Sequence, residues 1–139
     1  MKVYEQALID HFRNPRNKGI LARPDFSTQE YIPSCGDRIG MQGTIALGRL
    51  TEIKFTGTGC VISQAAASLL TEYAQGKSLE ELLSLDKNAL LSMLGMQLGP
   101  TRMRCALLSL HALQEGIKEY MKKSGGSDNA QSAKTRTET

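Results

Sequence analysis

Residues 50–75 read LTEIKFTGTGCVISQAAASLLTEYAQ, and this stretch decides the fold because it joins a strand to a helix. Ile53 and Phe55 alternate with polar residues, which predicts a strand over Leu50–Thr56. The alanine- and leucine-rich segment Val61–Gln75 predicts a helix that ends at a glycine. Between the two lies a glycine-rich bend that ends in a cysteine.

The segments on either side of this stretch complete an α+β pattern. Arg38–Leu47 predicts a preceding strand, with a tight hairpin turn at Gly48-Arg49. The other predicted elements are a helix over residues 2–13, a short strand near Thr28–Pro33, a capped helix that starts after Ser78, a helix over Asp86–Leu94 and a helix over about Arg102–Tyr120. We therefore expect an α+β domain in which a small three-stranded antiparallel sheet packs against about five helices.

Composition limits the class of protein. Residues 1–121 suffice for one domain, whereas residues 122–139 contain no apolar side chain larger than alanine and are expected to form a disordered tail. The net charge of +3, without interleaved basic and aromatic residues, argues against nucleic-acid binding. No segment has the apolar core of a signal peptide or the length of a membrane span, so we expect a cytoplasmic protein without a membrane partner.

Three cysteines are the candidate functional residues. Cys35 lies in a Pro-Ser-Cys-Gly-Asp turn next to Asp37, Cys60 ends the glycine-rich bend, and Cys105 follows an arginine. An odd number of cysteines does not suit a secreted disulfide framework, and thiols in a reducing compartment usually serve metal binding or reactivity. Three thiolates and one carboxylate form a complete ligand set for Zn²⁺ or a small iron–sulfur cluster. Their long spacing makes such a site dependent on the whole fold.

The expected surroundings of Cys60 and Cys105 favour the ionised thiolate. Cys60 is predicted at a helix start, where free backbone N–H groups and the positive helix end stabilise negative charge. Cys105 is predicted in the first turn of the last helix, beside the positive charges of Arg102 and Arg104. Two simpler interpretations stay open: a buried cysteine that only fills space, and a structural zinc ion without further chemistry.

Four short motifs, in order along the chain, resemble one known family. They are Tyr4 with Ile9–Gly19, Pro33–Asp37, Gly57–Ser63 and Arg102–Leu108. The resemblance extends over roughly residues 4–120. It is to the U-type iron–sulfur cluster scaffold proteins, the group of IscU, SufU and the N-terminal domain of NifU.

The resemblance implies a scaffold protein, not an enzyme, on which iron and sulfide are built into a transient 2Fe–2S cluster. It implies Cys35, Asp37, Cys60 and Cys105 as the ligands, and Zn²⁺ can occupy the same residues in this family. A cysteine desulfurase would supply sulfur as a persulfide, with Cys105 as the acceptor. The finished cluster would pass to apo iron–sulfur proteins or carrier proteins.

Two departures from the family patterns separate two functional hypotheses. IscU-type proteins have a histidine directly before the third cysteine, within a segment that Hsp70-type chaperones recognise. Arg104 stands there in this chain, which argues against chaperone-assisted release. Arg102 and Arg104 make the segment similar to SufU, which favours a zinc-dependent sulfurtransferase that accepts sulfur and passes it on. The absence of the insertion that SufU-type proteins carry before the third cysteine favours the scaffold.

Both histidines are interpreted as structural residues, not as ligands. His11, on the first helix, is expected to make a hydrogen bond that anchors the Asn14–Gly19 loop. His111 lies on a different helical face from Cys105, and we expect it at or near the surface.

Overall fold

The computed structural model describes residues 2–34, 36–95 and 98–128. These residues form five helices and three strands, in the order α1 (Lys2–Arg13), β1 (Phe26–Ile32), β2 (Asp37–Ala46), β3 (Arg49–Thr58), α2 (Val61–Ala74), α3 (Leu79–Leu83), α4 (Lys87–Leu94) and α5 (Pro100–Asp128). The predicted α+β class, with its three-stranded antiparallel sheet, is confirmed. Among the described helices, none combines the length and the apolar character that a membrane crossing requires.

The sheet has the strand order β1-β2-β3, with both neighbouring pairs antiparallel. Ala46 pairs with Arg49, so the β2–β3 hairpin closes with a two-residue turn at Leu47-Gly48. The expected turn at Gly48-Arg49 is therefore wrong by one residue. Leu47 and Gly48 have φ values of 54° and 73°, because a two-residue turn that fits twisted strands requires positive φ.

One face of the sheet packs against α2 and α5 to form the core. The most deeply buried side chains of this layer are Ile39 and Met41 from β2, Ile53 and Phe55 from β3, Leu70 from α2, and Leu113 and Ile117 from α5. α5 approaches β1 closely at Gly116, since a Cβ atom there would overlap the ring of Phe26. This packing brings the N-terminal ends of α2 and α5 to the same end of the sheet.

α5 is longer at both ends than the sequence indicated. It begins at Pro100, because proline suits the first helical position, and it continues to Asp128. Met121, Lys122 and Lys123 are good helix formers and extend an existing helix at little cost, whereas no local preference explains the continuation through residues 124–128. The expected boundary between a domain (1–121) and a disordered tail (122–139) thus falls inside α5. Residues 129–139 lie outside the described residues, and the division itself stays a prediction.

The loop after α1 is anchored through Ser68 of α2. Ser68 Oγ accepts a hydrogen bond from the backbone N–H of Arg16 at 2.8 Å, and it lies 2.8 Å from Nδ1 of His11. The Ser68 hydroxyl group therefore joins the His11 ring to the backbone of the loop. The predicted anchoring role of His11 is confirmed, with Ser68 as the intermediate. Beyond Arg16, the loop pairs with β3 through Asn17 and Gly19.

Candidate metal centre

Three of the four predicted ligand residues converge at one end of the sheet. Asp37 is the first residue of β2, Cys60 directly precedes α2, and Cys105 lies in the second turn of α5. Their ligand atoms, one carboxylate oxygen and two Sγ atoms, all lie within 4.8 Å of one another. The fourth, Cys35, lies outside the described residues. The fold therefore assembles a carboxylate and two thiols from three separate elements.

The Asp37 side chain is almost fully buried, with 2% of the residue exposed, and its closest partners belong to Cys60. Oδ1 accepts the backbone N–H of Cys60 at 3.0 Å, and Oδ2 accepts the Cys60 thiol at 3.2 Å. Burial alone would raise the pKa of Asp37, but hydrogen bonds from Cys60, Cys105 and Ser63 outweigh it and hold the pKa below its ordinary value. Asp37 is therefore ionised at neutral pH beside two thiols.

Cys60 occupies the N-cap position of α2 with its side chain exposed, so its predicted position at a helix start is confirmed. Its side chain makes no capping hydrogen bond. Instead, the backbone N–H of Cys60 is taken by the Asp37 carboxylate. Ser63, one turn into α2, donates its hydroxyl proton to the carbonyl oxygen of Cys60 at 3.1 Å and lies 3.8 Å from Cys60 Sγ.

Cys105 differs from the expectation that its surroundings favour a thiolate. α5 begins two residues earlier than predicted, so Cys105 lies past the first turn, and it is 5% exposed. Arg102 and Arg104 are exposed. Burial raises the pKa of Cys105 well above its ordinary value, and hydrogen bonds with Asp37 and Cys60 raise it further. In the metal-free protein, Cys105 is therefore a protonated, buried thiol that faces Asp37.

A cavity of about 590 Å³ opens beside the three residues. In addition to Asp37, Gly59 and Cys105, it is lined by Cys60, Val61 and Ile62 at the start of α2 and by Thr101 and Arg102 at the start of α5. A helix N-terminus carries partial positive charge and free N–H groups, so two such ends favour thiolate, sulfide or persulfide in the cavity. The thiols themselves are suited to a soft cation, and their surroundings are suited to anionic sulfur.

The sequence interpretation missed two residues that support Asp37. In the sequence, Gly59 is only one residue of a glycine-rich bend, yet it has a φ of 123° and lies against the Asp37 side chain. Ser63 is fully buried, and it is one of the hydrogen-bond partners of Asp37. The signal for Gly59 was present in Thr-Gly-Thr-Gly-Cys, since a glycine directly before a ligand often marks a close approach. No sequence pattern distinguishes Ser63 from other helical serines.

Comparison with known proteins agrees with this fold and site. Residues 3–126 match the family described as NifU-like N terminal domain, and the chain belongs to this family. It is 33% identical to the zinc-dependent sulfurtransferase SufU of Bacillus subtilis, over 83% of this chain and 89% of the relative. It is 35% identical to the iron–sulfur cluster assembly scaffold protein IscU 1 of Archaeoglobus fulgidus, over 91% of this chain and 82% of the relative.

A solved structure is similar in fold. The N-terminal part of a nitrogen-fixing NifU-like protein from Brucella abortus has a TM-score of 0.73 over 87% of this chain and 96% of that chain. At 20% identity, this similarity supports the fold alone. The relatives thus include proteins named as scaffolds and one named as a sulfurtransferase.

The connection before the third cysteine is short in this chain. α4 ends at Leu94 and α5 begins at Pro100, so only residues 95–99 join them. The alignment with the sulfurtransferase is 132 positions long, which is more than 83% of this 139-residue chain can fill. It therefore contains gaps, at which the sulfurtransferase has a residue and this chain has none. The alignment with the archaeal scaffold spans 126 positions and contains 91% of the chain, which leaves no such excess.

Proposed function

We propose that this protein is an assembly scaffold on which iron and sulfide are combined into a transient 2Fe–2S cluster, which then passes to apo iron–sulfur proteins or carrier proteins. The observation that carries the proposal is the convergence of Asp37, Cys60 and Cys105 within 4.8 Å beside an open cavity. Cys35 is the proposed fourth ligand. Thiolates are the usual ligands of such clusters, and one oxygen ligand among sulfurs makes the cluster easier to release.

The donor set fits cluster iron and also Zn²⁺, since both bind thiolates and tolerate a carboxylate oxygen. Metal binding requires that the thiols of Cys60 and Cys105 lose their protons. When Cys60 is deprotonated, Oδ2 of Asp37 loses the hydrogen bond that it accepts from the thiol and becomes available as a ligand. Oδ1 can keep its hydrogen bond from the backbone N–H of Cys60, so the carboxylate stays oriented by α2.

We propose that sulfur arrives from a cysteine desulfurase and that Cys105 is the acceptor. Cys105 first gives up its thiol proton, and its sulfur attacks the outer sulfur of the enzyme's persulfide. An S–S bond forms on Cys105, the S–S bond of the desulfurase breaks, and the desulfurase sulfur leaves as a thiolate that takes up the released proton. The step needs no external oxidant. Because Cys105 is buried in the described state, we expect the first turn of α5 to move when the desulfurase binds.

The alternative function is a zinc-dependent sulfurtransferase, in which the same residues hold Zn²⁺ and pass sulfur on. The similarity to SufU of Bacillus subtilis and the Arg102–Arg104 segment favour it. The short α4–α5 connection favours the scaffold. A cytoplasmic location, the absence of membrane and nucleic-acid partners, and cluster release without an Hsp70-type chaperone remain parts of the proposal.

Anaerobic reconstitution with ferrous iron, cysteine and a cysteine desulfurase distinguishes the two functions. A scaffold should develop the visible absorption of a 2Fe–2S cluster and transfer it to an apo-ferredoxin. If no cluster forms, while Zn²⁺ is retained and desulfurase turnover rises, the scaffold proposal fails and the sulfurtransferase is supported.

Two variants test the assigned roles in the same assay. Asp37→Ala should give a longer-lived cluster, and an unchanged or shorter lifetime would remove Asp37 from this role. Cys105→Ser should lose the persulfide that mass spectrometry detects after a metal-free reaction with desulfurase and cysteine. A persulfide retained in that variant would assign the acceptor to another cysteine, with the exposed Cys60 as the first candidate.

A further inference from the structure

We propose that Gly59 and Ser63 are positioning residues that hold the Asp37 carboxylate between the two thiols, and that they thereby control how strongly the site binds metal. The inference rests on the proposed function, because it takes Asp37 to be a ligand. It assigns the orientation of that ligand to two residues that do not contact the metal themselves.

Gly59 lies against Asp37 with no space for a side chain. A Cβ atom on Gly59 would overlap Oδ1 of Asp37, and it would lie 2.7 Å from Cγ and 2.8 Å from Cα of the same residue. Real Cβ atoms essentially never approach other heavy atoms so closely. Since the Asp37 backbone pairs with Ile32 in the sheet, an added methyl group has to displace either the carboxylate or the glycine-rich bend.

The bend is held on its other side by α2. The side chain of Gln64, on the first turns of α2, donates from Nε2 to the carbonyl oxygen of Gly59 at 2.9 Å. The next residue, Cys60, is the N-cap of α2. We therefore expect a methyl group at position 59 to displace the carboxylate, with loss of the hydrogen bonds that Asp37 makes to Cys60.

Ser63 supports the same carboxylate from within α2. It is fully buried, its one hydroxyl proton is donated to the Cys60 carbonyl oxygen at 3.1 Å, and the same hydroxyl group lowers the pKa of Asp37. A buried hydroxyl that is held by the Cys60 carbonyl and interacts with the Asp37 carboxylate limits the positions that the carboxylate can adopt. Residues that orient a metal ligand in this way typically change metal affinity by 10- to 100-fold when they are removed.

The chain offers a matched control for each residue. Gly76 also has positive φ, 86°, but no atom lies within 4 Å of a Cβ placed on it, so Gly76→Ala tests backbone strain without displacement. Ser109 is also fully buried and donates to a carbonyl oxygen three residues earlier, that of Ala106 at 3.3 Å. Ser109→Ala therefore tests the loss of a buried hydroxyl that is not among the hydrogen-bond partners of Asp37.

The experiment is a titration of the metal-free, full-length protein with Co²⁺, followed by competition with Zn²⁺. Thiolate-to-cobalt charge-transfer bands report the cysteines, and the d–d bands report the geometry of the complete ligand set. We expect Gly59→Ala and Ser63→Ala to weaken Zn²⁺ binding by about 10-fold or more, with altered d–d bands and retained charge-transfer bands. Gly76→Ala and Ser109→Ala should bind as the unmodified protein does.

Double variants decide whether the effect passes through Asp37. If Gly59 and Ser63 act only by orienting Asp37, then Gly59→Ala and Ser63→Ala should cause no further loss in an Asp37→Ala background. Full additivity with Asp37→Ala, or losses no larger than those of the controls, would overturn the inference. If Gly59→Ala does not fold, the Ser63→Ala comparison decides alone by the same criterion.

The proposed function and this inference fail in different ways. If the unmodified protein binds no Co²⁺ with thiolate bands, or if Asp37→Ala binds Zn²⁺ as tightly as the unmodified protein, the proposed ligand set fails and the inference fails with it. If Asp37→Ala weakens binding but the other variants are additive with it, only the positioning role is overturned.

Discussion

The two ends of β3 both depend on glycine, but for different physical reasons. At the hairpin end, Leu47 and Gly48 only turn the chain: Leu47 is 99% exposed, and no atom lies within 4 Å of a Cβ placed on Gly48. At the other end, Gly59 is in contact with a buried carboxylate. The hairpin requires only backbone freedom, whereas the candidate metal centre, where Gly59 has a φ of 123°, also requires the absence of a side chain.

The polar groups at the two ends also differ in their partners. The hairpin end is joined to the start of α3 by backbone hydrogen bonds, from Leu50 to Lys77 and from Leu79 to Gly48. At the site end, the Asp37 carboxylate accepts from the Cys60 backbone N–H and also interacts with two thiols, which can lose their protons. One end is therefore complete without a ligand, and the other gains stability when a cation replaces the thiol protons.

The largest difference between the ends should appear on metal binding. Free Zn²⁺ at 1,000 times its dissociation constant should raise the free energy of unfolding by about 4 kcal/mol, because only the folded state holds the ligands together. Urea unfolding with Zn²⁺ and with a chelator measures this difference. Gly48→Ala, at the hairpin, should show the full increase, and Cys60→Ser should lose most of it. An equal increase in Cys60→Ser would mean that the metal binds elsewhere.

A smaller difference should appear when alanine replaces each glycine in the metal-free protein. Gly48→Ala should cost about 1–2 kcal/mol, the usual penalty for a left-handed backbone. Gly59→Ala should cost about 3 kcal/mol, because it adds the loss of hydrogen bonds to a buried charge. Denaturant unfolding of both variants measures the two costs. Equal costs would show that Gly59, like Gly48, serves only the backbone.

Between the two ends, His11 of α1, which anchors the loop that pairs with β3, should make the free energy of unfolding depend on pH. Burial lowers the pKa of His11, and Arg16 lowers it further, although Glu72 and Asp10 partly oppose this. The unfolded chain therefore takes up the proton first, and stability is lost as pH falls below about 6.5, by at most about 1.4 kcal/mol per pH unit. In the unmodified protein, the free energy of unfolding should fall between pH 7 and 5.

Two glutamine variants check this assignment. His11→Gln should reduce the pH dependence of the unfolding free energy, because the buried titrating group is gone. His111→Gln is the matched control, because His111 is exposed on α5, as the sequence suggested. A slope that is the same in His11→Gln and in the unmodified protein would assign the pH dependence to other groups.

The smallest expected effect is at the hairpin turn. Leu47→Asn should raise the free energy of unfolding by about 0.5–1 kcal/mol, because asparagine tolerates positive φ better than leucine. The leucine side chain is exposed, so its removal costs no packing. Zn²⁺ affinity should not change, since the turn is at the opposite end of β3. A change in affinity would show that the two ends are coupled through the strand.

Local patterns predicted the elements whose signals lie within a few residues. The capped helix after Ser78 is an example, because its N-cap hydrogen bond from the Glu81 N–H, at 3.1 Å, joins residues three apart. The start of α2 after Cys60 is another. The exact turn at Leu47 was missed, because leucine has no preference for positive φ and the pairing of Ala46 with Arg49 imposes it.

The sequence alone determined the α+β order, the four candidate ligands Cys35, Asp37, Cys60 and Cys105, and the helix start at Cys60, because residue type and local spacing carry that information. Only the tertiary structure decided that Asp37, Cys60 and Cys105 meet within 4.8 Å, that Cys105 is buried and protonated without metal, and that Gly59 and Ser63 support Asp37. These properties depend on the packing of α2 and α5 against one face of the sheet, and contacts between residues far apart in the chain leave no local pattern.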